Sequence, residues 1–205
     1  MIHAKTQFPD FFAAAPTIVM RDPLAEFLGA AAGGIIEYRF EDAVRLAGHS
    51  CPTVAAAFLM VRAGLAALYG EELPRRGEIR VDMREPRDAG VAGVMAAVAT
   101  LITGAADEGG FKGLAGQFGR RHRLFFGQDV PGTLRLQRLD TQAAVSVAAR
   151  LDGVAGDPRM GELLPRCLDG SAAAEETALF GELWQERVRR LLLVHADDAD
   201  VIVVS

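Results

Sequence analysis

The chain has 205 residues, half of them hydrophobic and 24% charged, with a net charge of −5. That length suits one domain, or one domain with an appendage, and a core that needs no staples, and the acidic balance argues against a general nucleic-acid binder. Two cysteines make no disulfide framework, the start "MIHAKTQFPDFF" lacks a leader pattern, and the longest apolar run, Val54–Val61, is far short of the ~20 residues of a membrane span, so the expectation is a soluble, cytoplasmic protein with neither nucleic-acid nor membrane partners.

The first twenty residues are apolar without periodicity and read as an arm that packs on this domain or on a partner chain. "RDPLAEFLGA" reads as a short helix, with Asp22 as its N-cap and Pro23 at the first helical position. "IIEYRF" alternates, which predicts a strand over Ile35–Phe40 with Ile36, Tyr38 and Phe40 on one face. "EDAVRLAG" supplies two helical turns ending near Gly48. A longer helix follows over Pro52–Tyr69, with Gly70 as its stop, and its nearly unbroken apolar composition makes it central and buried.

"GEIRVDMRE" predicts a strand with Ile79, Val81 and Met83 inward and Arg80, Asp82 and Arg84 on a wet face. "DAGVAGVMAAVATLITG" predicts a second buried helix, capped by Asp88. Six glycines between Gly104 and Gly119 mark a loop built for unusual backbone angles. "RHRLFF" and "TLRLQRL" read as two strands paired with each other across "GQDVPG". "TQAAVSVAARL" reads as a helix capped by Asp140 or Thr141.

Beyond Leu151 the chain reads as a connector with a short Pro-started helix, then an amphipathic helix over Ser171–Val194. Glu175 and Glu176 lie in its first turn, Arg187, Arg189 and Arg190 lie late, and Leu179, Leu183, Trp184 and Leu191 form its stripe. "VIVVS" adds a last strand. The expected fold is α+β: a mixed or antiparallel sheet packed with long apolar helices, plus a C-terminal helical segment. Residues 1–150 form the main domain with its arm, and 151–205 an extension packing on it.

The chemistry concentrates in "AGHSCP". Pro52 suits the first turn of the long helix, which puts Cys51 at its N-cap, where the positive end of the dipole favours a thiolate. His49 lies two residues upstream. Imidazole and thiolate on a tight turn can converge on zinc or another transition metal. The same pair also reads as a structural cap with a small buried cysteine, or as a thiol nucleophile with His49 or His122 as its base. Further metal donors are sought among Glu85, Asp88, His122 and Cys167. His122 is preferred because a strand through Leu124 and Phe126 would turn it inward. Asp88 reads equally as a helix cap, and Cys167 as a small buried residue.

The glycine loop, with Lys112, Gly113, Arg120 and Arg121, suits a small anionic ligand held by backbone N–H groups and cations, or equally a loop crossing a dimer interface. It has neither the Gly-Lys-Ser/Thr ending of a P-loop nor the G-x-G-x-x-G spacing of a dinucleotide site.

"EDAVRLAGHSCPTVAAAFLMVRAGLAAL" resembles the FmdE-like family, which takes its name from a component of formylmethanofuran dehydrogenase and whose hallmark is a helix, a G-H-x-C-P-G turn and a long apolar helix. Gly48, His49, Cys51 and Pro52 match, and Thr53 replaces the last glycine. The order downstream is also similar, through "IRVDMRE", "DAGVAGV" and "GFKGLAGQFGRRHRLFF", so the resemblance covers about residues 35–130. It implies an α+β homodimer holding a zinc-like metal through His49 and Cys51, without implying dehydrogenase activity. The sequence departs from the family at "PRDAGVAGV", where relatives often carry a second cysteine, and in lacking a zinc-ribbon tail. The expectation is a metal-binding FmdE-like protein with a pocket for a small anion or cofactor precursor. The alternatives are a Cys51-dependent enzyme and a non-catalytic accessory scaffold.

Overall fold

The structure, a computed structural model, describes residues 6–205. Residues 1–5 of the expected arm lie outside the described residues. The remainder packs on the body: a 3-10 turn at Asp10–Ala14 sets Phe12 edge-on against Phe40, and both rings are buried. Strand β1 (Ile18–Arg21) then pairs antiparallel with β2 (Ile35–Tyr38), and the short helix α1 (Pro23–Phe27) lies between them. The expected strand over Ile35–Phe40 stops at Tyr38 because Phe40 opens α2 (Phe40–Ala47), where the Asp42 carboxylate accepts the Arg39 N–H at 2.9 Å.

The fold is α+β. Helix α3 (Pro52–Tyr69) occupies the expected span and crosses one face of a five-stranded sheet. It has the length and apolarity of a membrane span, but 67% of that window is buried in the body, which accounts for its composition. The sheet contains β3 (Ile79–Met83), β4 (Leu124–Phe125), β5 (Leu134–Arg138), β6 (Ala144–Ala149) and β7 (Ile202–Val204), in the order β4-β3-β5-β6-β7. Ile79, Val81, Met83, Leu134, Leu136 and Val147 are all buried with α3 in one core. Helix α4 (Ala92–Thr103) packs beside α3 and α2, and α6 (Ala174–Leu193) beside α3; α5 (Arg159–Leu168) pairs with α6.

Four expectations are corrected. The strands of "RHRLFF" and "TLRLQRL" are not paired with each other. β3 lies between them, parallel to the two-residue β4 and antiparallel to β5. Residues 144–149 form a strand, not a helix: a tight turn through Asp140–Gln142 folds them onto the open edge of β5, and that ladder outweighs alanine's helical preference. Asp88 caps no helix, because α4 begins at Ala92 with Val91 in the cap position. Asp82 is on the outer face but is fully buried: Arg80 donates to it at 2.7 Å and Arg135 at 2.6 Å, and the two side chains close over it.

Candidate functional site

The "AGHSCP" turn joins α2 to α3. Cys51 is the N-cap of α3, 8% exposed, and its Sγ accepts the Val54 N–H at 3.4 Å. The imidazole of His49 is exposed and places Nδ1 at 2.9 Å from the Ala47 carbonyl oxygen. A carbonyl only accepts, so Nδ1 carries the hydrogen and Nε2 of the neutral ring keeps its lone pair. Helix α6 pins the turn from the other side. The Trp184 indole donates to the Ser50 carbonyl at 3.0 Å, and the Ser50 hydroxyl donates to Gln185 at 3.0 Å. Among the described residues no hydrogen bond joins His49 to Cys51.

His122 is not part of this turn. It lies in a turn ahead of β4 with φ +58°, exposed, and its N–H donates to the Asp107 carbonyl at 3.0 Å. β4 begins only at Leu124, so the strand phase that would turn His122 inward never starts. Glu85 and Asp88 are exposed, and Cys167 is on α5. Among the described residues no group of three or more His, Cys, Asp or Glu side chains is placed to hold a metal ion. A closed zinc site needs four donors. The two on this turn do not make one within a single chain.

The densest polar construction is elsewhere. Asp22, buried at the N-cap of α1, accepts the Leu24 and Ala25 N–H groups at 2.9 and 3.2 Å. The same carboxylate takes Arg120 at 2.7 Å on Oδ1 and Arg76 at 3.0 Å on Oδ2. Arg76 also donates to the Leu101 carbonyl at 3.1 Å, at the end of α4. Asp22 therefore ties α1, the turn ahead of β3 and the glycine loop to one carboxylate. Burial pushes its carboxyl up, but the Arg76 hydrogen bond and the Arg120 charge outweigh burial and hold it below the usual carboxylate range.

Two glycines make room for these guanidiniums. At Gly77, with φ +85°, a Cβ would overlap Nη1 of Arg120, and at Gly104, with φ +73°, it would meet Nη1 of Arg120 and Arg76 at 3.1 and 3.2 Å. The Gly77 N–H closes on the Thr103 carbonyl at 2.7 Å. Beside this cluster is a cavity of about 270 Å³ lined by Pro23, Arg76, Glu78, Phe118, Arg120 and Arg123, with Gly77 and Gln117. Arg123 has no ion pair and no side-chain hydrogen bond among the described residues. Burial pulls its guanidinium below the usual value, the neighbouring Arg120 charge adds to that, and the Glu78 carboxylate opposes it without outweighing them.

Of the four residues expected to hold an anion, only Arg120 lines this cavity. Lys112 and Arg121 are exposed, and Gly113 serves the loop's own turn, where a Cβ would overlap the Gln117 carbonyl. The loop is cross-braced: Arg120 donates its N–H to Phe111 at 2.7 Å, and Ala106 donates to Arg120 at 3.0 Å. Sequence reasoning missed Asp22, Arg76 and Arg123 as site residues. Asp22 reads as a helix cap, a role that gives no sign of its arginine partners, and nothing local to Arg76 or Arg123 marks either as part of a site.

No family model matches this chain, and no curated protein matches it.

Proposed function

We propose that this chain is a binding protein for a small anionic molecule, held in the cavity of Arg76, Arg120 and Arg123. The observation that supports this most directly is Arg123, a partly buried guanidinium near Arg120 that makes no ion pair and no side-chain hydrogen bond among the described residues, with only the field of Glu78 to offset its burial. A charge partly taken from water without a hydrogen-bonded partner is costly, and a ligand that pairs with it removes that cost. An anion would pair with it and offset the mutual repulsion of Arg120 and Arg123. Asp22 holds Arg120 and Arg76 in fixed directions, so the ligand meets oriented donors. Planar guanidinium groups match carboxylate and phosphate oxygens two at a time.

In a thermal melt, phosphate or sulfate at saturating concentration raises Tm. At a hundred times Kd the stabilisation is about 2.7 kcal/mol, and each kcal/mol is worth ~2–4 °C for a chain of this size. Arg123→Gln abolishes the rise while the variant keeps its fold by circular dichroism. An identical rise in wild type and variant would remove this cavity from consideration.

A second reading rests on His49. A ring whose Nδ1–H is engaged by a backbone carbonyl has the arrangement typical of a metal-ligating imidazole, with Nε2 free. Together with Cys51 this supplies two donors for zinc or another transition metal. The remaining positions must then come from outside the chain: solvent, a ligand or a second copy. The FmdE-like resemblance implies the same two donors and a homodimer. Elemental analysis of purified protein gives stoichiometric metal that is lost in both His49→Ala and Cys51→Ser if this reading holds, and no metal in the wild type after reconstitution under reducing conditions if it does not.

A further inference from the structure

The cavity holds more than an oxyanion needs. At about 270 Å³ it approaches the ~300 Å³ at which small-molecule sites begin. Besides its charged residues, the lining includes two apolar ones, Pro23 and Phe118.

Phe118 sits there under strain. Its φ is +60°, in the left-handed region that a bulky residue rarely occupies. Such outliers persist when the surrounding structure holds them, and they gather at ligand clamps. Here the Phe27 ring on α1 supports Phe118, stacked at 5.4 Å with 29° between the planes. Two residues on, Arg120 is buried and fixed by Asp22. The strained turn thus sets an aromatic ring and a guanidinium, from one short segment, on the lining of one cavity. Both are surfaces on which a flat ring packs well: a ring by offset or edge-on stacking, a guanidinium by cation–π contact. Glu78, the carboxylate of the lining, disfavours a second negative group on the ligand.

Resting on the anion-binding reading above, we infer that the ligand is an aromatic ring carrying a single phosphate or carboxylate. The anionic group meets Arg120 and Arg123, and the ring lies against Phe118 and Pro23.

The test is isothermal titration calorimetry of the full chain with two probes that share an anionic head, phenyl phosphate and methyl phosphate. Wild type binds phenyl phosphate about tenfold more tightly, a difference of about 1.4 kcal/mol. In Phe118→Gly, which releases the left-handed strain and so keeps the loop foldable, the ratio of the two affinities falls toward one. Phe118→Leu, which keeps an apolar side chain without a ring, gives an intermediate ratio. Equal affinities in the wild type, or a preference that survives Phe118→Gly, overturns the aromatic assignment and leaves the anion site standing. Binding of neither probe overturns the anion reading itself, and this inference with it.

Discussion

Replacing Asp22 with alanine lowers stability by about 3–5 kcal/mol, the range seen when one partner of a buried ion pair is removed. The reason lies in what the carboxylate leaves behind. The Arg120 side chain is 8% exposed and Asp22 is its ion-pair partner among the described residues, so the variant buries an uncompensated guanidinium. Arg76 loses its charge partner as well, although the Leu101 carbonyl still accepts from it. The cap of α1 goes too, which alone costs ~1 kcal/mol. Against a total of ~5–15 kcal/mol, this is a large share. Urea denaturation followed by circular dichroism measures it. A loss under about 1 kcal/mol, the range of exposed pairs, would show that the pairing carries little net energy.

Asp22→Asn separates charge from shape, because the amide oxygen still caps the helix. The pH dependence follows from the lowered carboxyl. A group whose folded value lies below its unfolded one stabilises fully above the unfolded value, ~3.9 for Asp, and loses that contribution as pH falls through the folded value. The stability gap between wild type and Asp22→Asn is therefore constant above about pH 5 and narrows as the pH falls below about 4. A gap that widened in acid would contradict the arrangement.

Gly77→Ala is the second large effect. The new methyl group overlaps the Arg120 guanidinium, which is fixed by Asp22 and cannot swing away without breaking that pair. Left-handed backbone at a non-glycine residue adds roughly 1–2 kcal/mol. The expected total is about 3 kcal/mol or more, with loss of phosphate binding. Gly116→Ala provides the comparison. Its φ is +83°, almost the same, but nothing lies within 4 Å of the added Cβ. It should cost the backbone strain alone and leave phosphate binding intact. The difference between the two variants in denaturation and titration isolates the displacement of Arg120. If both behave alike, the Gly77 seat has no special role.

The local parts of this fold were legible because their signals are local. Pro52 and Gly70 bracket α3, Asp22 and Pro23 start α1, and the alternation of Ile79, Val81 and Met83 marks β3. Errors arose where a neighbour decides the conformation. The stretch Ala144–Ala149 is a strand because β5 offers an edge, and the sheet places β3 between two strands that sequence order suggests as partners.

The candidate site divides along the same line. The turn at His49 and Cys51 was visible because its residues are adjacent and chemically distinctive. Its two side chains are set in place by short-range bonds, Cys51 to Val54 and His49 to Ala47. The arginine cavity was mostly invisible. Arg120 was singled out from its loop, but its partner Asp22 is ninety-eight residues away, and Arg76 reaches the same carboxylate from a separate turn.

By itself, then, the sequence determined the α+β class, the buried central helix and the capped turn that begins it, since helix stops, caps and periodicity act over a few residues. Only the tertiary structure decided which cations share a cavity. Burying a charge is tolerable only where a partner from elsewhere in the chain meets it, and that meeting is a property of the packed fold.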